Sequence, residues 1–189
     1  MKKPRFTEED WIMLGLEELA AKGCEAVKLE AICKAAGLTR GSFYHHFEDH
    51  ESFLTGLARH WLKAQTEDVA AVAGGAGSAH DQSTALTQAA MRIDYRLELG
   101  IRELGRRLPA VREIIRQADA MRLEVLGRLY QARFGLDAAA AGQFACLEYA
   151  AFSGLILLDP DIPMERQTAL AELFQSTMAR ALGSQSGQP

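Results

Sequence analysis

Ten residues, Leu38 to Phe47 (LTRGSFYHHF), constrain the fold of this chain more than any other stretch. Thr39 is suited to cap a helix start, and Leu38 before it can clamp onto Phe43. Phe43 and Phe47 are four apart, so on a helix they share one face and point into a core. The opposite face carries Gly41 and His45, flanked by Ser42 and Tyr44, with Arg40 in the exposed first turn. A helix of about two turns cannot stand alone in water. It must be pinned by its aromatic face while it offers short polar groups, one arginine and imidazoles outward. That is the profile of a probe inserted into a groove. The plainer alternative is a short connecting helix with a solvated polar face.

The residues before this stretch supply what would pin it. Thr7-Glu-Glu-Asp10 reads as a helix start with acids in the first turn. Ile12, Leu16, Leu19 and Ala20 form an apolar stripe with Trp11 beside it, and Gly23 is suited to end the helix. A second short helix is expected over about Lys28 to Ala36, burying Leu29, Ile32 and Ala36 and closing at Gly37. Only Leu38 and Thr39 then separate it from the probe. Two short helices joined by a tight, glycine-containing turn make a helix-turn-helix.

Composition narrows the functions open to such a chain. Its 189 residues suffice for one or two domains with a proper core, and 48% hydrophobic against 24% charged residues describes a soluble globular protein. A net charge of −4 excludes nucleic-acid binding by bulk positive charge, so any such binding must use a local surface. The first 50 residues hold seven Lys or Arg against nine Asp or Glu. Most of those acids lie on the first helix or just past the probe, which leaves Lys2, Lys3, Arg5, Lys28, Lys34 and Arg40 to cluster on one side, helped by a flexible N-terminal arm. Cys24, Cys33 and Cys146 match no zinc spacing and no disulfide framework. Buried thiols in a reducing cytosol are expected, with a redox sensor as the alternative. The start, MKKPRF, has no apolar segment behind it and does not read as a signal peptide.

The run AAKGCEAVKLEAICKAAGLTRGSFYHHFEDHESFLTGL resembles the DNA-binding region of the TetR/AcrR family of bacterial transcriptional regulators. The resemblance rests on Gly23, Ala36-Gly37-Leu38, Gly41-x-Phe43-Tyr44-x-His46-Phe47 and Phe47-x-x-x-Glu51-x-x-Leu54, and covers roughly the first 60 residues. It implies that Arg40, Gly41, Ser42, Tyr44 and His45 face the major groove, and that Thr39, Tyr44 and His46 hold phosphates. It also implies DNA contacts at Lys28 and His50, where the family usually has a small hydroxyl residue and a lysine. Lys28 would reach a phosphate as a point charge; His50 contributes charge only when protonated. The physics of the residue types agrees, since arginine is the commonest two-pronged reader of guanine and helix N-termini and hydroxyls favour phosphate oxygens.

After residue 50 the pattern stays helical. One long helix is expected from Glu51 to about Ala73, then an exposed loop at Gly74-Gly-Ala-Gly-Ser78, then helices over about Ser83 to Leu97, Gly100 to Arg107, and Pro109 to near Gly135. Ten arginines between Arg92 and Arg133 read as a salt-bridged surface, or alternatively as one or two anion contacts such as Arg96 or Arg102. Leu136 to Leu158 is the most apolar helix. It is read as too short an apolar run, interrupted by Glu148, to span a membrane. Gly142, Cys146, Ala150 and Gly154 make a ridge of small side chains along it, with Phe152 and Leu155 adding apolar area. With Leu170, Phe174 and Met178 of a last amphipathic helix, they read as half of an isologous homodimer interface, the alternative being an intramolecular core. The tail from Gly183 is expected to be disordered.

The expected fold class is all-α: an N-terminal three-helix DNA-binding unit with a helix-turn-helix over residues 1–50, a connecting helix from about 51, a helical ligand-binding and dimerisation domain over 51–183, and a tail at 184–189. In the resembled family a small molecule binds the C-terminal half, which implies an effector here. Candidate contacts are Trp61, Tyr95, Phe144 and Tyr149 with Asp119, Arg122 and Glu148, each of which core packing or a surface ion pair explains as well. The partners expected are thus a near-palindromic double-stranded operator, an effector of unknown identity and a second copy of the chain, in the cytoplasm and without a membrane. No glycine-rich phosphate loop, nucleophile elbow or His-Glu metal spacing is present, so neither enzyme chemistry, a cofactor nor a metal is expected. The rival is a helical dimeric protein-interaction module that does not touch DNA.

Overall fold

The computed structural model describes residues 6–75 and 77–183, and among these the chain is helical without strand. The expectations for the N-terminal arm and the C-terminal tail lie outside the described residues. Helices α1 (Glu8–Lys22), α2 (Leu29–Ala36), α3 (Arg40–Phe43) and α4 (His50–Leu62) are followed by a π-helical turn at Lys63–Glu67. Then come α5 (Asp68–Gly74), α6 (Ala79–Ala90), α7 (Tyr95–Arg107), α8 (Pro109–Phe134), α9 (Ala138–Leu158) and α10 (Met164–Gly183). Thr7 caps α1 in a reciprocal box with Asp10, and the same device opens α4 with Asp49 and Ser52. The Thr7 hydrogen bonds hold the Asp10 carboxyl below the usual carboxylate range.

Several boundaries differ from the sequence reading for identifiable reasons. The probe is one short turn of helix, Arg40–Phe43, and continues to Phe47 only as turns, with the His46 and Phe47 amides both bonded to the Phe43 carbonyl. The expected continuous helix from Glu51 to Ala73 changes register through the π turn. The next break falls at Met91–Asp94 rather than near residue 98, because the Asp94 side chain accepts the Leu97 amide and starts α7 there.

The chain forms two compact units. The first comprises residues 1–64 and 94–118. Its core gathers Trp11, Leu19, Ile32, Phe43, Phe53, Leu57 and Trp61 from α1–α4 with Ile101 of α7 and Val111 of α8. Fully buried Glu98 on α7 receives the Trp61 indole N–H at 3.0 Å and the Arg102 guanidinium at 2.8 Å, tying α7 to α4.

The second unit comprises residues 65–93 and 119–189. Its small core is built by Tyr130, Ala141, Ala145 and Leu182, with Leu126, Phe134 and Phe144 against it. Asp137 caps α9. This helix does meet the length and hydropathy of a membrane span, with 21 residues and a mean hydropathy of 1.4 over its most apolar window, which corrects the sequence reading on that point. Only 17% of that window is buried in this single chain. The expectation of three buried thiols also fails: Cys33 is buried, Cys24 half-buried and Cys146 exposed on α9. Arginines pair along the helix surfaces as expected, Arg107 with Glu103, Arg116 with Glu113 and Arg128 with Glu124.

Candidate nucleic-acid interface

The turn between α2 and α3 is built by one glycine and one threonine. Gly37 ends α2 at φ 64°, a left-handed conformation that costs an L side chain but not glycine. Its N–H and that of Leu38 satisfy the last carbonyls of α2. Thr39 then caps α3, its hydroxyl oxygen accepting the Ser42 amide at 3.2 Å.

Beneath α3, Phe43 has no exposed surface. Its ring meets Trp11 and Phe53 edge-on at 5.3 Å each, and Phe47 at 5.0 Å. This aromatic cluster holds a helix too short to persist alone. Above it Thr39, Arg40, Gly41, Tyr44 and His45 are exposed, with Ser42 and His46 half-buried. Tyr44 presents half of its surface to solvent, and the His45 and His46 rings meet at 5.1 Å.

Two expected DNA contacts have protein partners. His50 is half-buried, its Nε2 lying 2.7 Å from the Val27 carbonyl oxygen and its ring stacked on Phe53. Lys28 is exposed and ion-paired with Glu25, whose carboxyl that hydrogen bond lowers. A further contact escaped the sequence reading: the Arg40 guanidinium donates to the carboxylate of Glu30 on α2, ten residues back across the turn. No helical periodicity connects the two positions, so only the fold of the turn reveals the pair.

The candidate effector residues are divided between the two units. Trp61 and Tyr95 are buried in the first unit. The other five fall into two polar clusters of the second. In one, Tyr149 donates to Asp119 at 2.6 Å, and Arg122 bonds the Tyr149 hydroxyl, the Thr66 hydroxyl and the Gln65 carbonyl of the π turn. In the other, Glu148 accepts from Tyr130 at 2.7 Å and from Gln175 at 2.9 Å, while Arg133 donates to Gln175 and to Ser83. Phe144 stacks on Tyr130. Burial pushes the Glu148 carboxyl up, against the Tyr130 and Gln175 hydrogen bonds and the Arg133 charge, and pushes the Tyr130 phenol up as well. The gap bordered by Tyr130, Arg133, Phe134, Glu148 and Gln175 has room for about one water molecule. Thr66, Tyr130, Arg133 and Gln175 were missed because helical spacing alone does not say which polar residues turn inward. Among the described residues, no group of three or more His, Cys, Asp or Glu side chains is placed to share a metal ion.

On the expected dimer surface, Gly142, Cys146 and Ala150 of α9 and Leu170 of α10 are exposed, and Phe152, Gly154, Leu155, Phe174 and Met178 are half-buried. A Cβ added at Gly142 or Gly154 would meet nothing within 4 Å. Leu147, Leu157, Leu158 and Leu173 are exposed beside them.

The short exposed α3, fastened by aromatics behind the glycine turn that ends α2, completes a helix-turn-helix. Residues 13–56 match the model of the bacterial regulatory proteins, tetR family. It is 42% identical over 53 residues to the transcriptional regulator AcuR of Cereibacter sphaeroides, an alignment spanning 28% of this chain and 23% of that protein. The fold is similar to that of a transcriptional regulator from Rhodococcus sp. Rha1, with a TM-score of 0.76 at 17% identity over 92% of this chain and 96% of that one. It is equally similar to a protein of Saccharomonospora viridis solved in complex with choline, with a TM-score of 0.76 at 13% identity over 89% and 95% of the two chains.

Proposed function

We propose that the protein is a homodimeric transcriptional regulator in the cytoplasm, a repressor that leaves its operator when a small molecule binds. The observation that carries this reading is the outward row Arg40, Gly41, Tyr44 and His45 on a helix held from below by Phe43. Arg40 and Tyr44 read bases or grip the backbone in the major groove, Gly41 lets the main chain come close, and Thr39 and His46 hold phosphates. Lys28 adds a phosphate contact as a point charge. His50 takes part through its place against Val27, which fixes the start of α4.

A second copy covers the apolar faces of α9 and α10. A two-fold protein then reads a two-fold site, with half-sites about 34–36 Å apart or a little more. The effector is recognised in the second unit, where Arg122, Tyr149 and Glu148 offer charge and hydrogen bonds; the choline bound by one structural relative supports a small organic ligand as its class. An effector that prefers the form with the wrong head spacing by a few kcal/mol releases the DNA.

Gel shift on the DNA flanking the protein's own gene tests the reading. The regulator gives a discrete band that resists non-specific competitor; a protein-interaction module gives none. Arg40→Ala is expected to relax sequence choice and Tyr44→Ala to weaken binding, both leaving the oligomer intact. Equal binding by the wild type and the double variant overturns the site assignment.

A further inference from the structure

An ion pair between Arg40 and Glu30 spans the turn from α2 to α3. Both side chains are largely in solvent, Arg40 at 59% and Glu30 at 81% exposure, and an exposed pair of this kind adds little to folding. A carboxylate on a face that approaches phosphates also repels them, and this chain already carries a net charge of −4. We infer that Glu30 is a positioning residue for base reading, an acid on α2 that holds the Arg40 guanidinium in one orientation so that its free edge selects guanine. The inference rests on the DNA-binding reading proposed above.

The donor count permits it. A guanidinium has five N–H groups, and the contact to Glu30 uses Nη2 alone. Whichever Nη2 hydrogen is taken, one two-donor edge stays whole, either Nη1 with Nη2 or Nε with Nη2. That edge is what a guanine O6/N7 pair requires. Arg40 can therefore keep Glu30 and bind a guanine at the same time. A free arginine must lose its rotamer freedom when it docks on a base; one already tied to a carboxylate has lost much of it beforehand. A guanidinium that has been ordered in advance also has less freedom to settle for a phosphate or another base.

Placement of the pair is not left to one flexible contact. Thr39 caps α3 and fixes where Arg40 leaves the backbone, and Gly37 fixes the angle at which α2 arrives. Cys33, one turn after Glu30 on α2, has a thiol raised by burial and pulled partly back by the Arg40 charge.

The test is selection from a pool of randomised duplex by the full chain as wild type, Glu30→Gln and Arg40→Ala, with circular dichroism melting to compare folds. The wild type is expected to enrich a guanine at one position of each half-site, and Arg40→Ala to lose it. Glu30→Gln is expected to keep every other position, to weaken that guanine preference by roughly ten-fold, and to bind random duplex a few-fold tighter because a repelling charge is gone. Three results overturn the inference: an unchanged guanine preference in Glu30→Gln while Arg40→Ala erases it, an equal loss of preference at all positions in Glu30→Gln, or a guanine preference that survives Arg40→Ala. In all three the protein still selects DNA, so the regulator reading stands. A wild type that enriches no sequence removes both.

Discussion

Trp61 is buried and Glu148 half-buried, and their polar atoms decide what a substitution costs. The Trp61 indole donates to the Glu98 carboxylate inside the first unit. Trp61→Phe keeps an aromatic ring but removes one hydrogen-bond donor to a buried carboxylate, so a loss of about 1–3 kcal/mol is expected in denaturant unfolding; an unchanged midpoint would show that the bond contributes nothing. Glu148 carries a pH dependence of definite sign. Burial raises its folded pKa. Its contribution to stability is therefore fully present below the unfolded value of about 4.3 and is lost as pH rises through the folded one. Glu148→Gln cannot ionise, so its melting temperature relative to wild type should climb steadily from acid to neutral pH. A difference independent of pH would sink the assignment. Little at this scale was legible beforehand: Glu148 stood out only as a charge in an apolar run, and its partners Tyr130 and Gln175 lie 18 and 27 residues away.

The turn from α2 to α3 is the element on which the reading surface depends. Gly37→Ala is expected to cost about 1–2 kcal/mol, because alanine must be forced left-handed although its Cβ would meet nothing within 4 Å. Thermal melting of this variant beside wild type checks it, and an equal melting point would mean the chain finds another turn. The same local chemistry made α1, α2 and the turn readable in advance: Thr7, Gly23, Gly37 and Thr39 act on backbone within four residues of themselves. The π turn at Lys63–Glu67 was not readable. Its Gln65 carbonyl and Thr66 hydroxyl are taken up by Arg122, 57 and 56 residues further on, so the register is held by a distant part of the chain.

For the whole molecule, apolar exposure and charge set the expectations. Leu147 on α9 and Leu173 on α10 expose 60% and 59% of their surface. Leu147→Glu with Leu173→Glu should convert a dimer to monomers in sedimentation and lower operator affinity with no change in the first unit's fold; a wild-type monomer ends the dimer proposal. Operator binding should weaken with salt at a log–log slope of about −3 to −6, shallow because Lys28 and Arg40 are each already paired with a carboxylate. A slope near zero would remove the phosphate contacts. The sequence by itself determined the helical class, the helix-turn-helix and the outward row from Thr39 to His45, because caps, glycine turns and the four-residue spacing of Phe43 and Phe47 act over short stretches of chain. Only the tertiary structure decided that Trp61 and Tyr95 lie in the first unit, that His50 leans on Val27, that Arg122 and Glu148 sit in separate clusters, and that Glu30 meets Arg40. Each of those depends on which distant side chain fills the space opposite, and that is settled when helices pack.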